Sequence, residues 1–298
     1  MRKYHLILPL CTLLLTGCAD IRNRISPDAL AISADTLAMH VSGEEGVITA
    51  HGDPLNFPDA MCAAAGAEIS PGHIAVLTLS EHPAEILPRY LQNGWLAPTA
   101  QVLYAADAVS LLQTAPPSAD DLKAAADTGC IPPRTADAVL SDLLGGSGVT
   151  ALTAYTKDGF RLAVFSDAEF LGTLSDSACR GLALLCGRYR TFTVSDSACC
   201  VSVEHAAPDM HAALSGDRLQ ITVSGTFRCK LRRGAIADAQ NLINMLLTDA
   251  LTETVTQYGA DLLNLQERAD ACAYSREQWR GILRNAVISA DAVCTVSP

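Results

Sequence analysis

Toward the end of the chain, Leu219, Ile221, Val223, Gly225, Phe227, Cys229 and Leu231 alternate with polar residues. That period of two predicts a strand or hairpin arm with one buried face. Residues 192–194 and 201–203 carry short runs of the same kind and are expected beside it. The period then changes. Ile236, Ala239, Ile243, Leu246, Ala250, Val255, Tyr258 and Leu262 trace one face of a long amphipathic helix. It amounts to about six turns or more even if Gly259 breaks it, so it must lie across a sheet or a partner. A shorter helix around Gln278 and Trp279 and a last strand over 287–296 complete this region.

Earlier in the chain the patterns are shorter. Residues 30–32 and 47–50 read as strands between turn residues, and Pro58 starts a helix that Pro71-Gly72 ends. The run 73–80 reads as a buried strand. Pro83 opens a helix with a kink at Pro88, closed by Asn93-Gly94, and 102–105 reads as a second strand. Strand, helix, strand over this distance predicts a right-handed crossover with a partly parallel sheet. Pro116-Pro117 marks an exit. Ser118 with Asp121 resembles a capping box for a helix to 128, and Thr135 caps another through Leu144, stopped by Gly145-Gly146-Ser147-Gly148. A hairpin follows over 151–155 and 160–166, then a helix over 176–186 with Ser175 as cap and Gly187 after it.

The pattern at the start is of another kind. Arg2 and Lys3 precede an apolar run over 6–15, too short to span a bilayer, and the run ends in Leu14-Leu15-Thr16-Gly17-Cys18. Basic, apolar, small and Cys in this order predict a lipoprotein signal peptide over 1–17, with Cys18 as the lipidation site. Two acyl chains on diacylglyceryl-Cys18 anchor stably without a transmembrane helix. The expected organisation is α+β: an N-terminal α/β domain over 18–115, a middle α+β domain over 116–190 and a C-terminal α+β domain over 191–298 with mixed or antiparallel sheets.

Charge narrows the partners. The 298 residues carry a formal charge of −11, which becomes −13 when loss of the signal removes Arg2 and Lys3 and no acid. This net acidity disfavours nucleic acid, whose phosphates need a basic patch, and a polybasic grip on lipid; no nucleic-acid partner is expected. Cys62, Cys130, Cys179, Cys186, Cys199, Cys200, Cys229, Cys272 and Cys294 include no Cys-x-x-Cys. They read as free thiols in apolar positions with one or two disulfides among them, and a zinc site is disfavoured.

Candidate chemistry is sparse. There is no His-Glu-x-x-His, Walker loop or Gly-x-Gly-x-x-Gly. Gly145-Gly146-Ser147-Gly148 suggests a nucleophile elbow, but Val149 stands where Gly is needed, so a flexible turn is expected. His73 stands at the mouth of a strand and is expected to be structural. His205 and His211 flank a Pro-containing loop, Asp270 is a ligand or helix cap, and Trp95 and Trp279 are core residues or interface anchors. No catalytic, metal or cofactor-binding residue is assigned.

Several segments together resemble the Ger(x)C lipoprotein family, the C subunits of GerA-type spore germinant receptors. Gly17-Cys18 followed by Asp20, Arg22 and Arg24 is similar to the family's start, with Ala19 where the family has Trp. Gly72-His73-Ile74-Ala75-Val76-Leu77 before Glu81-His82-Pro83-Ala84-Glu85 resembles its Gly-His strand and following helix start. Leu162-Ala163-Val164-Phe165 with Phe170-Leu171-Gly172-Thr173-Leu174-Ser175 resembles its middle segment, and Ala269-Asp270 before Trp279 its C-terminal pattern. The resemblance implies a three-domain, non-enzymatic lipoprotein on the extracytoplasmic face of the cell membrane or spore inner membrane. It would need no cofactor and would work with integral-membrane A- and B-type receptor subunits. The alternative is a solute-binding lipoprotein of a transporter, which needs two similar lobes around a cleft.

Overall fold

The computed structural model describes residues 24–41, 43, 46–115, 118–157, 159–166 and 169–296. The expected signal peptide, Cys18 and Pro116-Pro117 lie outside them. Strand β1 (Arg24–Ile25) leads into β2 (Pro27–Ser33), β3 (Thr36–Val41) and β4 (Val47–His51). Helix α1 (Phe57–Ala65), β5 (Glu68–Ile69), β6 (Val76–Leu79), α2 (Pro83–Gln92) and β7 (Gln101–Tyr104) follow. Then come α3 (Ala108–Thr114), α4 (Ala119–Asp127), α5 (Ala136–Leu144), β8 (Val149–Thr156), β9 (Gly159–Ser166), β10 (Glu169–Thr173) and α6 (Asp176–Cys186). The last part holds β11 (Phe192–Ser195), β12 (Cys200–Ser215), β13 (Arg218–Arg233), α7 (Ile236–Leu251), α8 (Leu265–Arg268), α9 (Arg276–Arg284) and β14 (Val287–Val296).

Eight strands form one sheet in the order β10-β9-β8-β7-β6-β2-β3-β4. The central β8, β7, β6 and β2 run parallel and the flanking pairs antiparallel. The expected crossover is present as β6–α2–β7. Alternation decides the layers. Leu30 and Ile32 of β2 face a core with Phe57, Met61, Leu87, Tyr90 and Val139 of α1, α2 and α5. Ala29 and Ala31 point the other way, toward Ala108, Leu112 and Leu122 of α3 and α4. Residues 27–173 thus share one sheet, which runs across the boundary expected at 115; residues 116–117 separate two flanking helices and not two sheets.

A second sheet has the order β11-β12-β13-β14, antiparallel except for the parallel pair β13–β14. Its inner face, with Phe192, Val201, Leu219, Ile221, Val223 and Phe227, buries the apolar stripe of α7. The long helix is present as expected, and its last turns differ. After Leu251 residues 252–257 form a π-helical turn, in which Tyr258 N–H reaches back to Glu253 O, and Gly259 closes it with φ +64°. Helix α6 joins the two bodies: Ala178, Cys179 and Leu182 pack beneath β8 and β9, and Leu184 enters the α7 core. The crossing is close because Gly181 has no side chain; a Cβ there would lie 1.9 Å from Leu246 O.

Two expectations fail here. His205 and His211 do not flank a loop: both sit within β12, where Pro208 pairs with Gly225. β11 pairs only with 200–203, so Pro208 lies on an open edge, where a missing N–H costs nothing. All nine described cysteines are free thiols, with no disulfide among the described residues.

Candidate functional site

A buried polar network joins the two bodies. It forms where the α5–β8 loop, Gly145-Gly146-Ser147-Gly148, meets the segment after the π turn. Ser147 is buried, and its hydroxyl accepts from Val149 N–H at 3.3 Å and from Asp261 N–H at 3.1 Å. Arg280 on α9 donates to the Ser147 and Gly148 carbonyls, and Arg276 Nη2 to Leu143 O at 3.0 Å. Arg276 thus meets a carbonyl at the C-terminal end of α5, where the helix dipole favours positive charge, and Arg280 the loop carbonyls beyond it.

Asp261 is the hub. Its Oδ1 accepts from Leu265 N–H, and its Oδ2 from Gln266 N–H at 2.8 Å and from Trp279 Nε1 at 3.0 Å. An ionised carboxylate has only acceptor sites, so three convergent N–H donors suit it. Gln266 Nε2 donates to Ala271 O at 3.2 Å and Tyr274 O at 3.3 Å. That places its Oε1 1.6 Å from where a Cβ on Gly146 would be, so only glycine fits there.

A second buried cluster lies beneath. Arg134 is clamped to Asp142 in an ion pair, with its Nε on Ala151 O at 2.7 Å and its Nη2 on Thr150 Oγ1 at 3.1 Å. Thr150 donates to Asp142 at 3.1 Å. Burial pushes the Asp142 carboxyl above the usual carboxylate range, while the Arg134 guanidinium and the Thr150 hydroxyl hold it back.

The residues singled out from sequence are scattered. Ser147 is no nucleophile elbow: its hydroxyl is buried and taken up by the Val149 and Asp261 N–H donors. Nor is the loop a flexible turn, because α9 grips it. His73 is exposed at the turn Pro71–His73, beside a cavity of about 440 Å³ with Lys123, Asp127 and Arg188. His205 and His211 are exposed on the outer face of β12, opposite Arg228 and Thr222. No group of three or more metal-ligating side chains occurs among the described residues. Asp270 follows α8 with φ +52° and caps no helix start; the buried acid in that region is Asp261. Trp279 is fully buried as the partner of Asp261, and Trp95 packs with Phe57 and Tyr90 at 5.2 and 5.5 Å.

Sequence reasoning passed over Asp261. A signal was there: an acid between Ala260 and Leu262, two residues after the glycine that stops the long helix. Among the described residues no helix is long and apolar enough to cross a membrane, which leaves strands unaddressed.

No protein-family model and no curated protein sequence matches the chain. A match is found to the crystal structure of the GerBC protein, with a TM-score of 0.57 and 11% identity, over 90% of this chain and 96% of that one. The two mixed sheets, the crossover and the long C-terminal helix therefore make up the fold of the GerBC protein.

Proposed function

We propose that the chain is a lipid-anchored, non-enzymatic subunit of a nutrient-germinant receptor complex, tethered through diacylglyceryl-Cys18 on the extracytoplasmic face of a membrane. Its partners are integral-membrane subunits of A and B type. The observation that carries this reading is the likeness to the GerBC protein over nearly the whole of both chains. The lipoprotein pattern at Leu14-Leu15-Thr16-Gly17-Cys18 and the ordered segments of the Ger(x)C resemblance support it from sequence. Within it the eight-stranded sheet over residues 27–173 and the four-stranded sheet over residues 192–296 meet at the Asp261 junction. The function is to present surfaces to membrane partners at the high effective concentration that tethering gives.

Deletion in a spore-forming host tests the reading: response to particular nutrients should be lost, and unchanged germination with every nutrient tried would refute it. Mass spectrometry of the membrane-bound protein should find Cys18 as its first residue, carrying a diacylglyceryl group. Cys18→Ala should move a folded protein out of the membrane fraction.

A further inference from the structure

The described chain enters the fold at Arg24, in β1, which pairs with Glu68 of β5. Parallel β2, β6 and β7 all begin at that end of the large sheet. The cavity lined by His73, Gln101, Lys123 and Arg188, with Asp120 and Asp127 balancing the two cations, opens at the same end. There the N–H groups of Arg190 and Thr191 both donate to Asp127 O at 2.9 Å, fixing the start of β11 beside the cavity. The outer face of the second sheet opens from this point as a groove of about 650 Å³. Its wall carries Arg190, Arg228, Lys230 and Arg232; Asp127 pairs with Arg190 at 3.3 Å and Glu204 with Arg228 at 3.9 Å, so the cations still outnumber the acids. All four cations are exposed; Arg190 stands just before β11, while Arg228, Lys230 and Arg232 alternate with the buried Phe227 and Cys229 and the half-buried Leu231 along β13, so the strand period gathers those three on one face.

The opposite end has the opposite sign. At the C-terminal ends of β2 and β6, a cavity of about 260 Å³ is lined by Asp53, Glu81 and Glu85, with His82 beside them. A chain that is acidic as a whole therefore carries its concentrated positive charge at the end where Arg24 emerges. From Cys18 to Arg24 the chain spans at most about 20 Å when fully extended. Anchoring at Cys18 would hold that end against the headgroups.

We propose that the Arg190–Arg228–Lys230–Arg232 groove is a docking surface for the anionic phospholipid headgroups of the bilayer to which the chain is tethered. It orients the protein, with the acidic end pointing away. The acyl chains supply retention, while the groove supplies the direction. This deepens the anchoring reading above, on which it rests for the position of Arg24. The net charge of the chain concealed the groove, because acids elsewhere outnumber it.

The test uses the chain from residue 19, which keeps every described residue and has no acyl group, so its outcome does not depend on whether Cys18 is lipidated. It is sedimented with vesicles of phosphatidylglycerol and phosphatidylcholine in equal parts, and with phosphatidylcholine alone. Binding to the mixed vesicles only is expected, lost at about 0.5 M salt. The exposed triple variant Arg228→Gln, Lys230→Gln, Arg232→Gln should bind about tenfold or more weakly, and Glu81→Gln with Glu85→Gln at the far end should bind like the wild type. Lys230→Glu alone should weaken binding too, which guards against misfolding of the triple variant. Equal binding to both vesicle types, or triple and Lys230→Glu variants that bind like the wild type, would overturn the proposal. So would capture of polyglutamate without capture of vesicles, which would assign the groove to an acidic protein segment. None of these results would touch the receptor-subunit reading.

Discussion

Asp261 shows how much one side chain can organise. Three N–H donors converge on it, and each would be left buried without an acceptor if the carboxylate were removed. Asp261→Ala should cost about 3–5 kcal/mol in urea unfolding. Trp279→Phe keeps an aromatic side chain but loses the indole N–H and part of the buried volume, so it should cost about 2–3 kcal/mol; a loss equal to that of Asp261→Ala would mean that ring packing and not the carboxylate dominates. The Arg134–Asp142 pair gives a prediction in pH. Because burial raises the folded carboxyl above its unfolded value, the folded state binds the proton more tightly, so the contribution of this group to stability falls as pH rises through the carboxylate range. Arg134→Met removes the opposing guanidinium. It should cost about 3 kcal/mol near neutral pH and regain part of that as the pH is lowered through the carboxylate range. A loss independent of pH would show that packing of the Arg134 stem is what matters. Burial also pushes the Cys179 thiol up to about 12. Iodoacetamide at mildly alkaline pH should therefore modify exposed Cys272 in the native protein and spare Cys179 until it is unfolded.

Among the elements, α6 and α7 cross through Gly181, and the usual helix rule inverts there. Gly→Ala inside a helix ordinarily stabilises by about 1 kcal/mol. At Gly181 the new methyl would meet Leu246 O and the Ala250 side chain, so Gly181→Ala should instead destabilise by about 2–3 kcal/mol. A rise in the urea midpoint would refute the close crossing. This helix was legible in outline: Ser175, the stripe Ala178, Gly181, Leu182 and Leu185, and Gly187 marked its start, buried face and end. What the periodicity could not carry was the reason for the glycine, since Leu246 lies 65 residues away. β3, β10 and α3 went unseen because each is short and shaped by its neighbours: β10 is held by β9, and α3 by the alanine face of β2. The second half of β12 was hidden by Pro208, which reads as a loop until its place on an open edge is known. The C-terminal edge strand β14 has another protection. Ala292 N–H donates to Asn244 at 2.8 Å and Cys294 N–H to Gln240 at 3.3 Å, so one helix face covers the edge that a further strand could otherwise join.

At the scale of the whole molecule the question is whether the two sheets behave as one body. The contacts that join them run from Leu143–Gly148 to Asp261, Gln266, Arg276 and Arg280, separations of more than a hundred residues that no local pattern announces. The sequence showed a glycine-rich turn and a stray acid, and only their meeting makes either meaningful. Mixed content, the crossover and the long helix were readable because they are local, whereas the continuity of one sheet across residue 115 was not. The arrangement offers its own reporters. Trp95 packs in the core of the eight-stranded sheet and Trp279 in that of the four-stranded sheet. Single-tryptophan versions therefore read each half separately, with Trp95→Tyr leaving Trp279 as the reporter and Trp279→Phe leaving Trp95. If the junction couples the halves, the Trp279 and circular-dichroism transitions should coincide in the Trp95→Tyr background, which leaves the junction intact. Gly146→Val would drive Gln266 from its position and loosen the grip of α9 on the loop. In that variant the Trp279 and circular-dichroism transitions should separate, with the C-terminal half unfolding at lower urea. Coincident transitions in the variant, at a midpoint unchanged from the parent, would mean that the α6–α7 crossing alone holds the halves together and that the Asp261 junction is dispensable.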